Sequence, residues 1–223
     1  YANTTGASNT AIGVGALTSN TTASNNTAVG YQAGYSNTTG TAVTAVGYQA
    51  GYNNTTGAQN IAIGTAALQA NTTSVNNTAV GHASLHANTT GADNTAIGLS
   101  ALRSSTIGTS NTAVGLQALM SNTTGVGNTS VGRDALYYVT TGITNTAIGY
   151  AAGASGTNNL TTGSNNIIIG YNAAASSSTV SNTITLGNSS ISTLFSFMVA
   201  FTGPINQLAT DLDPTPVFTA SSK

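Results

Sequence analysis

Few side chains in this sequence could perform acid–base, nucleophilic or metal chemistry. The 223 residues include two histidines, three basic and four acidic side chains, and no cysteine. His82 and His86 are four residues apart, a spacing that suits a metal site on a helix, but the residues seventeen before and after them are not Cys, Asp or Glu. Asp211 and Asp213 lie beside prolines in a polar tail, and Arg133–Asp134 is expected to be solvated. Because no Ser-His-Asp set can be assembled either, we predict no catalytic residue, no metal site, no cofactor and no enzymatic activity.

The sequence is poor in charge. Charged residues make up 3% of the chain and the net charge is −1, whereas about 25% of residues are charged in typical globular proteins. The basic footprint of a protein that binds nucleic acid or an anionic membrane is therefore excluded. No apolar run approaches the ~18 residues of a membrane span. Tyr1 is not an initiator Met, so we expect a processed product or a fragment of a longer protein.

A period of 17 residues organises the chain. Its clearest mark is a glycine that follows a short Thr-Ala-Ile or Thr-Ala-Val segment, and one interval of 21 residues interrupts the series. These repeat glycines are Gly13, Gly30, Gly47, Gly64, Gly81, Gly98, Gly115, Gly132, Gly149, Gly170 and Gly187. A fixed period of this length indicates a solenoid with one supersecondary unit per repeat. Positions are numbered from the repeat glycine, so that −1 precedes it and +1 follows it.

The three residues before each repeat glycine have the character of a strand. Position −1 is always large and apolar, position −2 is mostly Ala, and position −3 is mostly Thr with Ile as its replacement. Because side chains alternate along a strand, positions −3 and −1 share one face. We predict that this face is buried and that the −1 column is the structural core: Ile12, Val29, Val46, Ile63, Val80, Ile97, Val114, Val131, Ile148, Ile169 and Leu186.

The rest of each repeat is typical of turns and a second short apolar segment. Position +3 is mostly Ala and position +4 is often Leu, and strings such as Asn54-Thr-Thr-Gly supply tight corners. We predict coils with two short extended segments and two corners, stacked about 4.8 Å apart, so that eleven coils make a rod of roughly 50 Å. Asn residues in equivalent positions should form amide ladders. The four extra residues near 153–160 should bulge from a corner without breaking the stack.

The string Asn-Thr-Ala-Ile/Val-Gly resembles the repeat in the heads of trimeric autotransporter adhesins. The longer strings Asn26-Thr-Ala-Val-Gly-Tyr-Gln-Ala-Gly34 and Ile184-Thr-Leu-Gly-Asn-Ser-Ser-Ile-Ser-Thr-Leu194 resemble bacteriophage tail fibres, in which a similar segment closes the shaft before a self-cleaving chaperone domain. The resemblance covers residues 1–194. It implies an all-β fold, a left-handed parallel β-roll assembled as a homotrimeric rod, located outside the cell or on the virion surface.

We therefore divide the chain into a β-solenoid shaft, residues 1–194, and a C-terminal cap or assembly segment, residues 195–223. The second part lacks the Ser-Asp-Ala-Arg stretch that opens the chaperone domain in those fibres. Its apolar residues alternate, which suits a strand with one buried face and makes them candidates for an assembly site. These residues are Phe195, Phe197, Val199 and Phe201.

Two features of the repeat leave a choice between a ligand and a structural role. Tyr31, Tyr48, Tyr150 and Tyr171 share position +1, where they could stack on sugars or simply shield the surface of the coil. Several Asn-Thr-Thr strings read as glycosylation sequons, although Asn is also the residue that a tight corner favours.

Three functions fit these observations. The first is a non-enzymatic fibre or adhesin shaft that acts in attachment to a host or cell surface, where its partners would be copies of itself and a surface glycan or protein. The second is a self-assembling extracellular filament joined end to end through residues 195–223. A minor third is an ice-binding solenoid with Thr columns, although adjacent threonines such as Thr4 and Thr5 point to opposite faces of a strand.

Overall fold

The computed structural model describes residues 2–190. This part of the chain is all-β, without a helix, and contains eleven strands of three residues each. They are β1 (Thr10–Ile12), β2 (Thr27–Val29), β3 (Thr44–Val46), β4 (Ile61–Ile63), β5 (Thr78–Val80), β6 (Thr95–Ile97), β7 (Thr112–Val114), β8 (Thr129–Val131), β9 (Thr146–Ile148), β10 (Ile167–Ile169) and β11 (Ile184–Leu186). Each strand ends at the residue before a repeat glycine, so the predicted phase of the repeat is confirmed.

The strands form a single parallel sheet in which the order along the chain is also the order in space. Pairing is in register from coil to coil: Thr95 of β6 faces Thr112 of β7, and Ile97 faces Val114. Parallel strands joined by 14 intervening residues, or 18 between β9 and β10, place each coil directly on the previous one. The fold is therefore a β-solenoid with one turn per repeat, as the period predicts.

The side of the sheet that faces the interior is the opposite of the one predicted. The Ala at position −2 is fully buried in the inner strands, for example Ala96, whereas Ile97 beside it is 41% exposed. All members of the −1 column are half-buried or exposed in the single chain: Ile12, Val29, Val46, Ile63, Val80, Ile97, Val114, Val131, Ile148, Ile169 and Leu186. The prediction that this column is the chain's own core is wrong, because the interior is occupied by the side chain at position −2, mostly Ala and Ile168 in β10, and alternation along the strand then directs position −1 outward.

Small residues fill the interior instead. Ala96 at position −2 and Ala101 at position +3 are fully buried in the same coil as Leu102 at position +4, and the equivalent residues of the other coils continue this cluster along the axis. The Ala side chains allow the two walls of the coil to approach, and the Leu column supplies most of the apolar volume. The core is thus a thin stack of Ala and Leu.

The predicted second extended segment is a turn rather than a strand. Positions +2 and +4 adopt the left-handed backbone conformation, with φ of 57° at Ser100 and 51° at Leu102. Leucine rarely adopts this conformation because it is unfavourable for a residue with a Cβ. Here the conformation directs the Leu102 side chain into the core, and packing there offsets the backbone strain. Hydrogen bonds between coils also continue outside the strands, for example from Leu102 N to Ala118 O at 3.1 Å.

Two Asn ladders run inside the stack, as predicted. Asn94 at position −4 donates from Nδ2 to Oδ1 of Asn77 at 3.1 Å, and Asn111 donates to Asn94 in the same way. At position +7, Asn54 Nδ2 donates to Asn37 Oδ1 at 2.8 Å and also to Gly57 O at 2.8 Å. These amides are almost fully buried, and their mutual hydrogen bonds satisfy polar groups that would otherwise be costly to bury.

The 21-residue interval is a surface loop, as predicted. Leu160 N donates to Gly153 O at 2.9 Å and closes a loop of residues 154–159. Beyond it, β9 and β10 pair in parallel with Ile167 opposite Thr146. The extra residues therefore leave the register of the stack unchanged.

Candidate functional site

The most extended surface feature of the described residues is one face of the sheet. We call it the strand face: the side chains at positions −3 and −1 of every strand, represented by Thr95 and Ile97 in β6. Because Ala96 between them points into the core, both project outward. The in-register pairing brings equivalent residues of all eleven strands into two continuous columns, one mainly of Thr and one of Ile, Val and Leu.

The strand face is apolar along its whole length and carries no charged side chain within the eleven strands. Apolar residues account for the whole −1 column, and Ile61, Ile167 and Ile184 extend them into the −3 column. Many are among the exposed large hydrophobic residues of the chain, with Ile184 at 69%. A contiguous apolar surface of this kind marks an interaction site more often than a free surface.

The repeat glycines hold the end of each strand close to the next coil. Gly64 has φ of +132°, and a Cβ built on it would lie 2.5 Å from the carbonyl oxygen of Gly81. Only glycine combines that backbone conformation with such a close approach. The glycine column is therefore a structural requirement of the stack and not a ligand site.

The tyrosines at position +1 lie outside the strand face and stack in pairs. The rings of Tyr31 and Tyr48 have centroids 5.3 Å apart and an interplanar angle of 11°, and those of Tyr150 and Tyr171 are 5.3 Å apart at 19°. All four rings are at least 40% exposed. The sequence grouped them correctly in one column, and the structure resolves that column into two separate pairs.

Tyr35 and Tyr52 also stack, with centroids 5.2 Å apart, and one further aromatic pair was not singled out from the sequence. Tyr137 and Tyr138 contact each other edge to face, with centroids 4.7 Å apart and an interplanar angle of 68°. Arg133 lies 5.5 Å from the centroid of the Tyr150 ring, and its Nε donates to Asp134 Oδ2 at 3.1 Å. The sequence signal for this pair was the two adjacent tyrosines in the coil that precedes the 21-residue interval.

The other candidate residues are dispersed. His82 is exposed and His86 half-buried, and burial, Arg103 and His82 together lower the pKa of His86 below its usual value. In residues 2–190 no three His, Cys, Asp or Glu side chains cluster as metal ligands would. The sequon residues Asn20, Asn37, Asn54, Asn71, Asn88 and Asn122 are buried, which supports their reading as corner residues, whereas Asn3 in the first coil is exposed.

Residues 2–190 contain no helix that is long and apolar enough to cross a membrane. The candidate assembly residues Phe195, Phe197, Val199 and Phe201, and the proposed boundary at residue 194, lie outside the described residues.

Comparison with known proteins identifies no relative of this chain. No protein-family model, no curated protein and no solved structure matches it.

Proposed function

We propose that the chain is a structural shaft of a fibre or adhesin, without enzymatic activity, that assembles with copies of itself and acts in attachment to a host or cell surface. The observation that carries this proposal is the outward orientation of the −1 column. A stack of coils that exposes an apolar column along its whole length requires a partner of the same length and the same period. A second copy of the same chain meets both requirements.

The energetics favour self-association. Full burial of an Ile or Val side chain stabilises by about 1.5–3 kcal/mol, and the −1 side chains are already partly covered, so each gains about 1 kcal/mol when another chain covers it. Eleven coils would therefore contribute on the order of 10 kcal/mol per chain. Such a sum is comparable with the cost of losing free translation and rotation on assembly, roughly 4–15 kcal/mol.

A cyclic arrangement with its axis parallel to the rod suits this face best. It directs the strand face of every copy toward the same axis and keeps each coil level with its equivalents in the other copies. Ile97 of one chain then meets Ile97 of the others, without any charge to bury. The resemblance to adhesin heads and phage tail fibres supports three copies, a left-handed coil and a position outside the cell or on a virion.

The test combines native mass with surface binding. The purified chain should have three times the mass of one chain, 21.9 kDa, and the labelled trimer should bind to the surface of intact bacterial cells. Ile97→Asp should lower both the mass and the binding. A trimer that binds no cell surface would restrict the function to that of a scaffold, and end-to-end rods in electron micrographs would favour the self-assembling filament joined through residues 195–223.

One observation favours the ice-binding alternative. Thr at position −3 and Ile or Val at position −1 form two parallel columns on one flat outward face, as Thr95 and Ile97 illustrate. Regularly spaced hydroxyl and methyl groups could order water at an ice surface. Ice binding needs the strand face to be free, whereas assembly covers it. A monomer with thermal hysteresis activity would therefore support ice binding, and a trimer without that activity would support the shaft.

A further inference from the structure

A concave region of the described surface lies where the repeat is interrupted. The loop of residues 154–159, closed by the Leu160 N to Gly153 O hydrogen bond, rises beside the tyrosines of the same and adjacent coils. Between them is a cleft of about 460 Å³ that is open to solvent. This volume is within the range of small-molecule sites, about 300–1,000 Å³.

Four tyrosines line the cleft: Tyr137, Tyr138, Tyr150 and Tyr171. They come from three successive coils, and their rings have two orientations, since Tyr150 and Tyr171 are stacked while Tyr137 and Tyr138 meet edge to face. The Arg133 guanidinium over the Tyr150 ring helps to fix the stacked pair. Aromatic carbon is therefore presented in more than one direction, together with several phenol groups.

Polar side chains from position +2 complete the lining. Gln117, Asp134 and Asn172 of three different coils border the cleft, and they supply amide donors and acceptors and a carboxylate. Asp134 Oδ2 accepts the Arg133 hydrogen bond, while its Oδ1 is buried without a partner among the described residues. Arg133 thus offsets part of the negative charge that Asp134 brings to the lining of the cleft.

This combination selects for an uncharged, polyhydroxylated ligand. Sugar rings present C–H groups that pack on aromatic faces and hydroxyls that bond to amides and carboxylates. An apolar ligand would leave the polar groups unpaired, and an anionic ligand would meet Asp134, whose partner Arg133 is already engaged. Nucleic acid is disfavoured by the scarcity of positive charge.

We propose that this cleft, defined by the four tyrosines, Asp134 and the loop of residues 154–159, is a binding site for an uncharged oligosaccharide. The inference rests on the proposed function, since it identifies the class of surface molecule that the shaft would contact. None of the lining residues belongs to a strand, so none of them is part of the strand face through which copies would assemble.

The chain offers a matched control for this site. Tyr171→Ala removes a ring of the stacked pair beside the loop, whereas Tyr48→Ala removes the equivalent ring of the Tyr31–Tyr48 stack, which has similar geometry and no adjoining loop. A second variant, deletion of residues 155–158, restores the interval of 17 and should remove one wall of the cleft while β9 and β10 stay paired.

The test measures binding of the full chain to a panel of oligosaccharides on an array. Its neutral arm contains oligomers of glucose, galactose, mannose and N-acetylglucosamine, and its acidic arm contains sialylated, sulfated and uronate glycans. We expect wild type to bind at least one neutral member, Tyr171→Ala and the deletion to weaken that binding about tenfold, and Tyr48→Ala to leave it unchanged.

Three outcomes would contradict the proposed oligosaccharide site. No member of the panel binds wild type more tightly than it binds Tyr171→Ala, both tyrosine variants lose binding equally, or only acidic members bind. Native mass measured on the same samples separates this inference from the proposed function. A trimer that binds no saccharide would contradict the oligosaccharide site but not the proposed structural shaft. A monomer that binds a neutral saccharide through Tyr171 would support the oligosaccharide site and contradict the proposal that the chain is an assembled shaft.

Discussion

Ala96 and Ile97 are adjacent residues of β6 whose side chains lie on opposite sides of the chain, Ala96 fully buried in the core and Ile97 41% exposed on the strand face. The smaller side chain is inside, where position −2 is mostly Ala. The larger is outside, where another chain can cover it. Substitutions at Ala96 should therefore change the stability of the coil, whereas substitutions at Ile97 should change its assembly with other copies.

Ala96→Asp should unfold the solenoid around β6. It places a charge in a core of Ala and Leu that offers it no partner, and the cost should be several kcal/mol. Circular dichroism and thermal melting will measure the loss. A variant that melts within a few degrees of wild type would contradict the buried position of this column.

Ile97→Asp should leave the single coil intact but prevent assembly. Its side chain is 41% exposed in the single chain, so the direct cost to the coil should be only about 1 kcal/mol, while in an assembly the carboxylate would be buried against apolar neighbours. Sedimentation velocity should show a smaller particle that keeps the wild-type circular dichroism spectrum. Unchanged sedimentation would mean that the strand face is not the interface.

Ser105→Asn should stabilise the stack. Ser105 interrupts the Asn ladder at position +7, and both its Oγ and the Oδ1 of Asn88 are buried without partners among the described residues. An Asn at 105 could donate to Asn88 Oδ1, and its own Oδ1 could accept from Asn122. We expect a gain of about 1 kcal/mol in the free energy of unfolding.

The matched control is Asn54→Ser, which introduces the same interruption into an intact part of the ladder. It should cost about 1–2 kcal/mol, since the Asn37 and Asn71 amides then lose a partner. Denaturant unfolding of both variants will measure the two effects. Equal destabilisation by both substitutions would contradict the ladder as a source of stability.

Gly64→Ala should be far more damaging than Gly156→Ala. Both glycines have positive φ, but a Cβ on Gly64 would meet the Gly81 carbonyl, whereas one on Gly156 meets no described atom within 4 Å. We expect more than about 3 kcal/mol for the first and about 1 kcal/mol for the second. Similar melting temperatures for the two variants would show that coil-to-coil contact at the glycine column is loose.

Acidification should weaken the stack through His86. Its pKa is lowered in the folded chain by burial, by Arg103 and by His82, so the unfolded chain binds the proton more readily. Stability should be complete above the unfolded pKa of about 6.5 and should fall as the pH drops from there toward the lower folded pKa. His86→Gln should reduce this dependence between pH 7 and 5, measured as melting temperature, and an unchanged pH profile would count against it.

The sequence predicts the stacking well because that information is local and repeated. The glycine column defines the phase, the Asn columns define the ladders, and the return of the period after Gly149 shows that the longer interval can be absorbed in a loop. Each of these features depends on residue type at a fixed spacing. The structure adds the left-handed conformation of Leu102, which packing imposes against the local preference of the residue.

The direction of the strand face could not be obtained from alternation alone. Alternation establishes that Thr95 and Ile97 share a face, but not whether that face is inside. The size of Ile97 suggested the inside. The Ala found at position −2 in eight of the eleven strands was the better signal, since a column that is mostly Ala is typical of a crowded site. The cleft was missed because its four tyrosines occupy three column positions in three coils and meet only in the folded stack.

The native mass of the purified wild-type chain, measured by light scattering over a range of concentrations, shows whether the strand face binds further copies. We expect a stable particle of three chains of 21.9 kDa that Ile97→Asp reduces to one. A wild-type chain that stays folded as a single copy, with its strand face uncovered at every concentration, would contradict the claim that this face exists to bind further copies.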